Sequence, residues 1–128
     1  MILKTRYLGF ELKHPFILGA SPLADDIDSI RLAEDAGAAA IVMHSMFEEQ
    51  IKDTSGARAT PQTSSVDYVP GADELKLNPD RYLEQLRRIK SAVQVPVIAS
   101  MNGVHDDDWL HYAGCCAQAG ADAIELNL

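Results

Sequence analysis

The hydrophobic positions of this chain alternate between short apolar runs and longer stretches of helical spacing, and one phrase marks the passage between them twice. Asp35-Ala36-Gly37-Ala38-Ala39-Ala40-Ile41-Val42 and Gln118-Ala119-Gly120-Ala121-Asp122-Ala123-Ile124-Glu125 each close an amphipathic stretch at a glycine and enter an apolar segment. Glycine accepts the left-handed backbone that ends many helices, so Gly37 and Gly120 read as helix stops. Apolar runs of four or five residues suit strands buried on both faces of a parallel sheet.

The same pattern predicts the remaining elements. Lys4 to Leu8 and Phe10 to Lys13 alternate around Gly9 and predict an N-terminal β-hairpin. Strand one is expected at Phe16 to Gly19. Helix one follows from Asp26 to Ala36, capped by Asp25 or Asp26, with Ile27, Ile30, Leu32 and Ala33 facing inward. Strand two covers Ala40 to Met43. The Ser45-Met46-Phe47-Glu48 spacing predicts a short helix to about Lys52.

Residues 53–77 carry no sustained periodicity and read as a long loop, leaving a strand end of the kind where loops bear function. Asn78-Pro79 opens helix two, whose buried face is Tyr82, Leu83, Leu86, Ile89 and Val93. Strand three is Val95 to Ser100, helix three Asp106 to Gln118, and strand four Ala123 to Asn127.

This order predicts an α/β fold, the N-terminal half of a (β/α)8 TIM barrel: four parallel strands, three main helices and a hairpin closing one end. Ligands of such folds sit at the C-terminal ends of the strands. The polar residues expected there are His44, Ser45, Ser100, Asn102 and Asn127. A full barrel needs roughly 200 residues or more, and the 128 residues here form one partial domain, 1–128. A fragment, half of a two-chain barrel and an open four-stranded sheet are the alternatives.

Charge and composition narrow the partners. A net charge of −8 argues against nucleic acid and against an anionic membrane surface. No run approaches a membrane span and the first residues lack the apolar core of a signal peptide, so a cytoplasmic location is expected. Cys115 and Cys116 are adjacent in a helix and read as core or surface thiols. Asp106-Asp107-Asp108 and Glu48-Glu49 suit first turns of helices without a metal, so no metal site is expected.

Four segments together resemble the dihydroorotate dehydrogenase family, in its class 1 and dihydropyrimidine-dehydrogenase-like branch. They are His14-Pro15-Phe16-Ile17-Leu18-Gly19-Ala20-Ser21-Pro22, Ile41-Val42-Met43-His44-Ser45, Val95-Pro96-Val97-Ile98-Ala99-Ser100-Met101-Asn102-Gly103 and Glu125-Leu126-Asn127. The resemblance implies an FMN-dependent oxidoreductase on a (β/α)8 barrel, acting on a dihydropyrimidine such as dihydroorotate in pyrimidine metabolism. It implies cofactor contacts from Ala20, Ser21, His44, Ser45, Asn102 and Asn127, and substrate contacts from His44 and Asn127. No catalytic residue is assigned in this half.

Two features depart from that pattern. His44 stands where the family carries a lysine, and the segment Gln62 to Lys76 lacks its Asn-rich, Gly-Pro-containing substrate loop. The family's later strands, with the catalytic residue and phosphate-binding turns, have no counterpart here, so this half alone is expected to be inactive. The alternative is a non-catalytic half barrel acting through association, as a homodimer or with a separate C-terminal half. An aldolase-like barrel is a third reading, against which no lysine falls at a predicted C-terminal strand end.

Overall fold

The computed structural model describes residues 3–47, 79–102 and 106–127. The predicted loop 53–77, the end of the helix expected after Ser45, and the residues Asn78, Gly103 and His105 lie outside the described residues. Strands β1 (Thr5–Tyr7) and β2 (Phe10–Leu12) form the antiparallel hairpin. Leu8 and Gly9 both hold positive φ, 49° and 83°, as a two-residue turn matched to strand twist requires.

A 3-10 helix (Pro22–Asp25) leads into α1 (Ile27–Asp35). Asp26 caps α1 by accepting from the Ser29 amide at 2.8 Å. Leu32 departs from expectation: Ile30 is buried and Ile27 packs on the core, whereas Leu32 is 70 % exposed. It lies outside the i, i+3 row that Ile27 and Ile30 define.

The main sheet is parallel and contains β3 (Ile41–Val42), β4 (Met46–Phe47), β5 (Val97–Asn102) and β6 (Ala123–Asn127). Helix α2 (Pro79–Ala92) leads into β5, and α3 (Asp106–Gln118) into β6. β6 lies along one edge of β5 from Ile98 to Asn102, so β3 and β4 follow one another along the other edge. Predicted strand one is reduced to a parallel bridge, Leu18 with Ile41, held by Leu18 N–H to Ala40 O at 3.0 Å and Val42 N–H to Leu18 O at 2.8 Å. The segments thus lie side by side in chain order.

The helix expected at Ser45 is corrected at its start, because Met46 and Phe47 pair with Met101 and Asn102 as a strand. Met46 is buried in the core, a gain that outweighs a local capping signal. The register there contains a bulge. Ile41 and Val42 face Val97 and Ile98, yet Met46 faces Met101, so four steps on one strand oppose three on the other.

The repeated phrase is a repeated Schellman stop. After α1, Gly37 N–H bonds Glu34 O and Ala38 N–H bonds Ala33 O, both at 2.9 Å. After α3, Gly120 N–H bonds Ala117 O at 3.1 Å and Ala121 N–H bonds Cys116 O at 3.0 Å. Both glycines have φ near +100°.

Two cores sit on opposite faces of the sheet. Ile41, Met43, Met46, Val97, Ala99 and Met101 pack with Ile30, Tyr82, Leu86, Ile89 and Cys116 of the helices. Burial pushes the Cys116 thiol up to about 11, which keeps it protonated as a core group. The smaller core joins Val42, Ile98 and Ala40 to Leu12 of the hairpin, with Ala123 and Ile17 against it. The hairpin therefore covers the N-terminal part of the face that bears Ser100, Glu125 and Asn127 further along.

Side chains lock that N-terminal end. Glu34 Oε1 accepts from the amides of Gln94 and Val95 at 2.7 and 3.0 Å. Asp122 Oδ2 accepts from the Val97 amide and from Lys90 Nζ, both at 2.7 Å. Among the described residues no helix is long and apolar enough to cross a membrane.

Candidate functional site

Alternation along β5 and β6 creates the site. Ile98, Ser100 and Asn102 share one face, and their register partners are Ala123, Glu125 and Asn127. The face turns from apolar to polar toward the strand C-termini, the end where ligands of parallel α/β folds bind.

The bulge after Val42 adds a third contribution. Met43 and Met46 both pack in the helix-side core, leaving two residues, His44 and Ser45, where a regular strand would place one on the opposite face. Ser45 joins Ser100, with 2.8 Å between their hydroxyl oxygens. His44 is placed with Nδ1 3.5 Å from Asp25 Oδ2.

A bulge interrupts the ladder, and Tyr82 of α2 fills the gap. Its hydroxyl donates to Ser100 O at 3.1 Å and accepts from the Ser100 amide at 3.0 Å. These are the two backbone groups of β5 that face the bulged edge, since Ile98 O two residues earlier receives the Met43 amide on that edge. Burial holds the Tyr82 hydroxyl far above its ordinary range, so it remains a neutral donor.

The hydrogen bonds of the cluster have a direction. Ser100, fully buried, donates its one hydroxyl proton to Glu125 Oε1 at 2.7 Å, so Ser45 is the donor to Ser100. Asn127 Nδ2 lies 3.3 Å from Ser100 Oγ and 3.4 Å from Ser45 Oγ, long for good bonds. The chain Ser45 to Ser100 to Glu125 turns the lone pairs of Ser45 outward as acceptors. Asn127 adds an amide donor and an amide acceptor beside them.

Among the described residues, two buried polar atoms lack partners: Ser21 Oγ and Asn102 Oδ1. Ser21 precedes the 3-10 helix without capping it by its side chain, and Asn102 is the register neighbour of Asn127. Buried polar atoms are almost always satisfied, so orphans at a strand-end rim mark places for an incoming group.

Asp25 is pinned from two sides. Its carbonyl accepts from Gln85 Nε2 of α2 at 2.7 Å, and its carboxylate faces His44. Desolvation raises the Asp25 carboxyl above its ordinary value, and His44 partly offsets the rise.

Of the residues expected at the site, Ser45 and Asn127 meet in one cluster, Asn102 stands next to Asn127, and His44 pairs with Asp25. Ala20 is exposed ahead of the 3-10 helix and makes none of these hydrogen bonds. Sequence reading missed Asp25 as a partner of His44, Tyr82 as a polar plug and Glu125 as the end of the relay. Glu125 carried a usable signal, an acidic residue two positions before Asn127 and hence on its face of the strand. Among the described residues no group of three or more His, Cys, Asp or Glu side chains is arranged to hold a metal ion.

Comparison of the sequence with family models and with curated proteins finds no match to this chain.

Proposed function

We propose that this chain contributes the N-terminal half of an FMN-dependent oxidoreductase barrel acting on a dihydropyrimidine such as dihydroorotate. The observation that carries the reading is the rim itself: Ser45, Ser100, Glu125 and Asn127 hydrogen-bonded across three parallel strand ends, with Ser21 Oγ and Asn102 Oδ1 buried and, among the described residues, without partners. The resemblance of the four strand segments to the dihydroorotate dehydrogenase family supplies the identity of cofactor and substrate.

The residues fit the ring end of such a ligand. A flavin ring and a dihydropyrimidine both present adjacent N–H and C=O groups, and the rim offers matched acceptors and donors. Ser21 Oγ and Asn102 Oδ1 gain the partners they lack. Bound FMN would supply the hydride acceptor, while the protein holds and orients the rings. Ser100, held by Glu125 and by the Tyr82 hydroxyl, fixes Ser45; the apolar floor of Val42, Ile98 and Ala123 excludes water beneath. The phosphate falls to later strands of the barrel, by the general placement of such sites.

A second reading draws on the sheet edges. Leu126 on β6 is 48 % exposed and Phe16 on the opposite edge is 67 % exposed. Apolar side chains at both borders of one sheet favour association with a second half, from another copy or another chain.

One experiment addresses both. The purified chain is incubated with excess FMN and passed through gel filtration, reading visible flavin absorption across the elution profile. Flavin travelling with the protein is the expected result, at dimer size if two halves complete the site. Protein that elutes free of flavin at every concentration tried contradicts cofactor binding by this half.

A further inference from the structure

We propose that the two open borders of the sheet are complementary: β6 of one copy of this chain pairs, in parallel, with segment 16–18 of a second copy. The reciprocal pairing closes a two-chain ring of eight strands, the closing number of parallel βα barrels. The inference deepens the association reading of the sheet edges and rests on it.

The hydrogen-bond phase of both borders fits. Phe16 O accepts from the Ala39 amide, and Leu18 bonds Ala40 and Val42, so the backbone groups of Ile17 and Gly19 point to the open side. At the other border, Pro96 O and Ile98 O serve β3 and the residue after it. Val97, Ala99 and Met101 are left to bond β6 through Ala123, Glu125 and Asn127. Ile124 and Leu126 therefore turn their amides and carbonyls outward, and among the described residues no strand takes them.

Closure sets the register. Leu18, Ile41 and Val97 stand level, as do Ile98 and Ala123. Strands of such a ring stagger by about eight residues over a full circuit, hence by about four at each of two symmetric seams. The step that keeps strand against strand sets Ile124 opposite Phe16 and Leu126 opposite Leu18, whereas the opposite step sets Leu18 against Gln118 of α3. Ile17 N–H then meets Ile124 O, Leu126 N–H meets Ile17 O, and Gly19 N–H meets Leu126 O. Pro15, which has no amide, supplies its carbonyl to Ile124 N–H.

The side chains agree with the backbone. Leu18 and Ile124 pack on the helix-side core, and Phe16 and Leu126, on the same face by alternation, are exposed. A cavity of about 380 Å³ lined by Phe16, Leu18, Ala33 and Ala36 opens there. On the other face a cavity of about 280 Å³, lined by Tyr7, Leu12, Pro15 and Ile17, opens beside the hairpin. An added strand sends alternate side chains to the two faces; β6 brings Ile124 and Leu126 to the first cavity and Ala123 to the second. In this register His14 stands level with Asp122. Its Nδ1 accepts the Phe16 amide at 3.3 Å, so Nε2 carries the proton and faces the carboxylate as a donor. Both members of each seam are carried by this chain, which is the condition for a closed symmetric pair. The two Ser45–Ser100–Glu125 clusters then face one another across one cavity, and the ligand site is shared between copies.

Sedimentation equilibrium of the full chain over a range of concentrations tests the pairing. Twice the chain mass is expected. Phe16→Lys and Leu126→Lys, both at exposed positions, each weaken the dimer by about 30-fold or more, since the symmetric pair carries the change at both seams. Leu32→Lys and Leu110→Lys, exposed on α1 and α3, leave it unchanged. In a Cys115→Ser background, Phe16→Cys chains mixed with Leu126→Cys chains are joined by a short bismaleimide faster than Leu32→Cys chains mixed with Leu126→Cys chains. Circular dichroism establishes that each variant is folded.

A monomer at every concentration overturns the ring and the association reading together. A dimer unmoved by both edge variants, or cross-linking no faster for Phe16→Cys than for Leu32→Cys, overturns the ring and leaves association through another surface. Assemblies that keep growing with concentration overturn closure.

Discussion

At the residue scale, Tyr82 is the side chain on which the rim depends most. A phenylalanine would fill the same apolar space yet leave the Ser100 amide and carbonyl buried without a partner. Each such group costs about 1–3 kcal/mol. Tyr82→Phe is therefore expected to lower unfolding stability by about 2–4 kcal/mol, measured by urea denaturation, and a loss below about 0.5 kcal/mol contradicts the plugging role. Asp26 gives a prediction in pH. Bonds from the Ser29 hydroxyl and amide hold its carboxyl below the ordinary value. A depressed carboxyl contributes stability that is present above the unfolded pKa and lost as pH falls through the folded one. Asp26→Asn is expected to flatten the stability profile below about pH 4 while leaving neutral pH little changed, and an unaltered acid limb in pH-dependent denaturation contradicts it.

At the scale of elements, the parts written in local chemistry were legible and the parts decided by pairing were not. Gly37 and Gly120 announce both helix stops, and Gly9 the hairpin turn, because positive φ favours glycine locally. Strand four was placed at Ala123 to Asn127 as observed. Ser45-Met46-Phe47-Glu48 misled because its capping spacing is local, whereas Met46 joins a strand through contacts with Met101, far along the chain. The same holds for the site: Asn127, Ser45 and His44 stand out as polar strand ends, but the bulge that presents His44 and Ser45 is a register offset between two strands. Gly37→Ala checks the helix stop. A Cβ at Gly37 meets nothing within 4 Å, so its cost is purely that of φ 107°. About 1–2 kcal/mol of destabilisation is expected, and unchanged thermal stability contradicts the left-handed stop.

At the scale of the whole molecule, the sheet sorts its tasks by end and by face. Glu34 and Asp122 tie backbone amides at the N-terminal end of β5, and the hairpin covers the apolar part of one face. Helices α1, α2 and α3 cover the other face. What remains is the polar C-terminal rim, where four chain segments after the hairpin converge. On the proposed function, ligand binds at that end of the sheet and at no other. Amide chemical-shift mapping of the isotope-labelled chain on addition of FMN tests this most directly. Perturbations centred on Ser21, Ser45, Asn102 and Asn127, with Arg6, Tyr7 and Val95 at the far end unmoved, are the predicted result. Perturbations centred on the hairpin or on exposed helix surface, or none at saturating FMN, would contradict it.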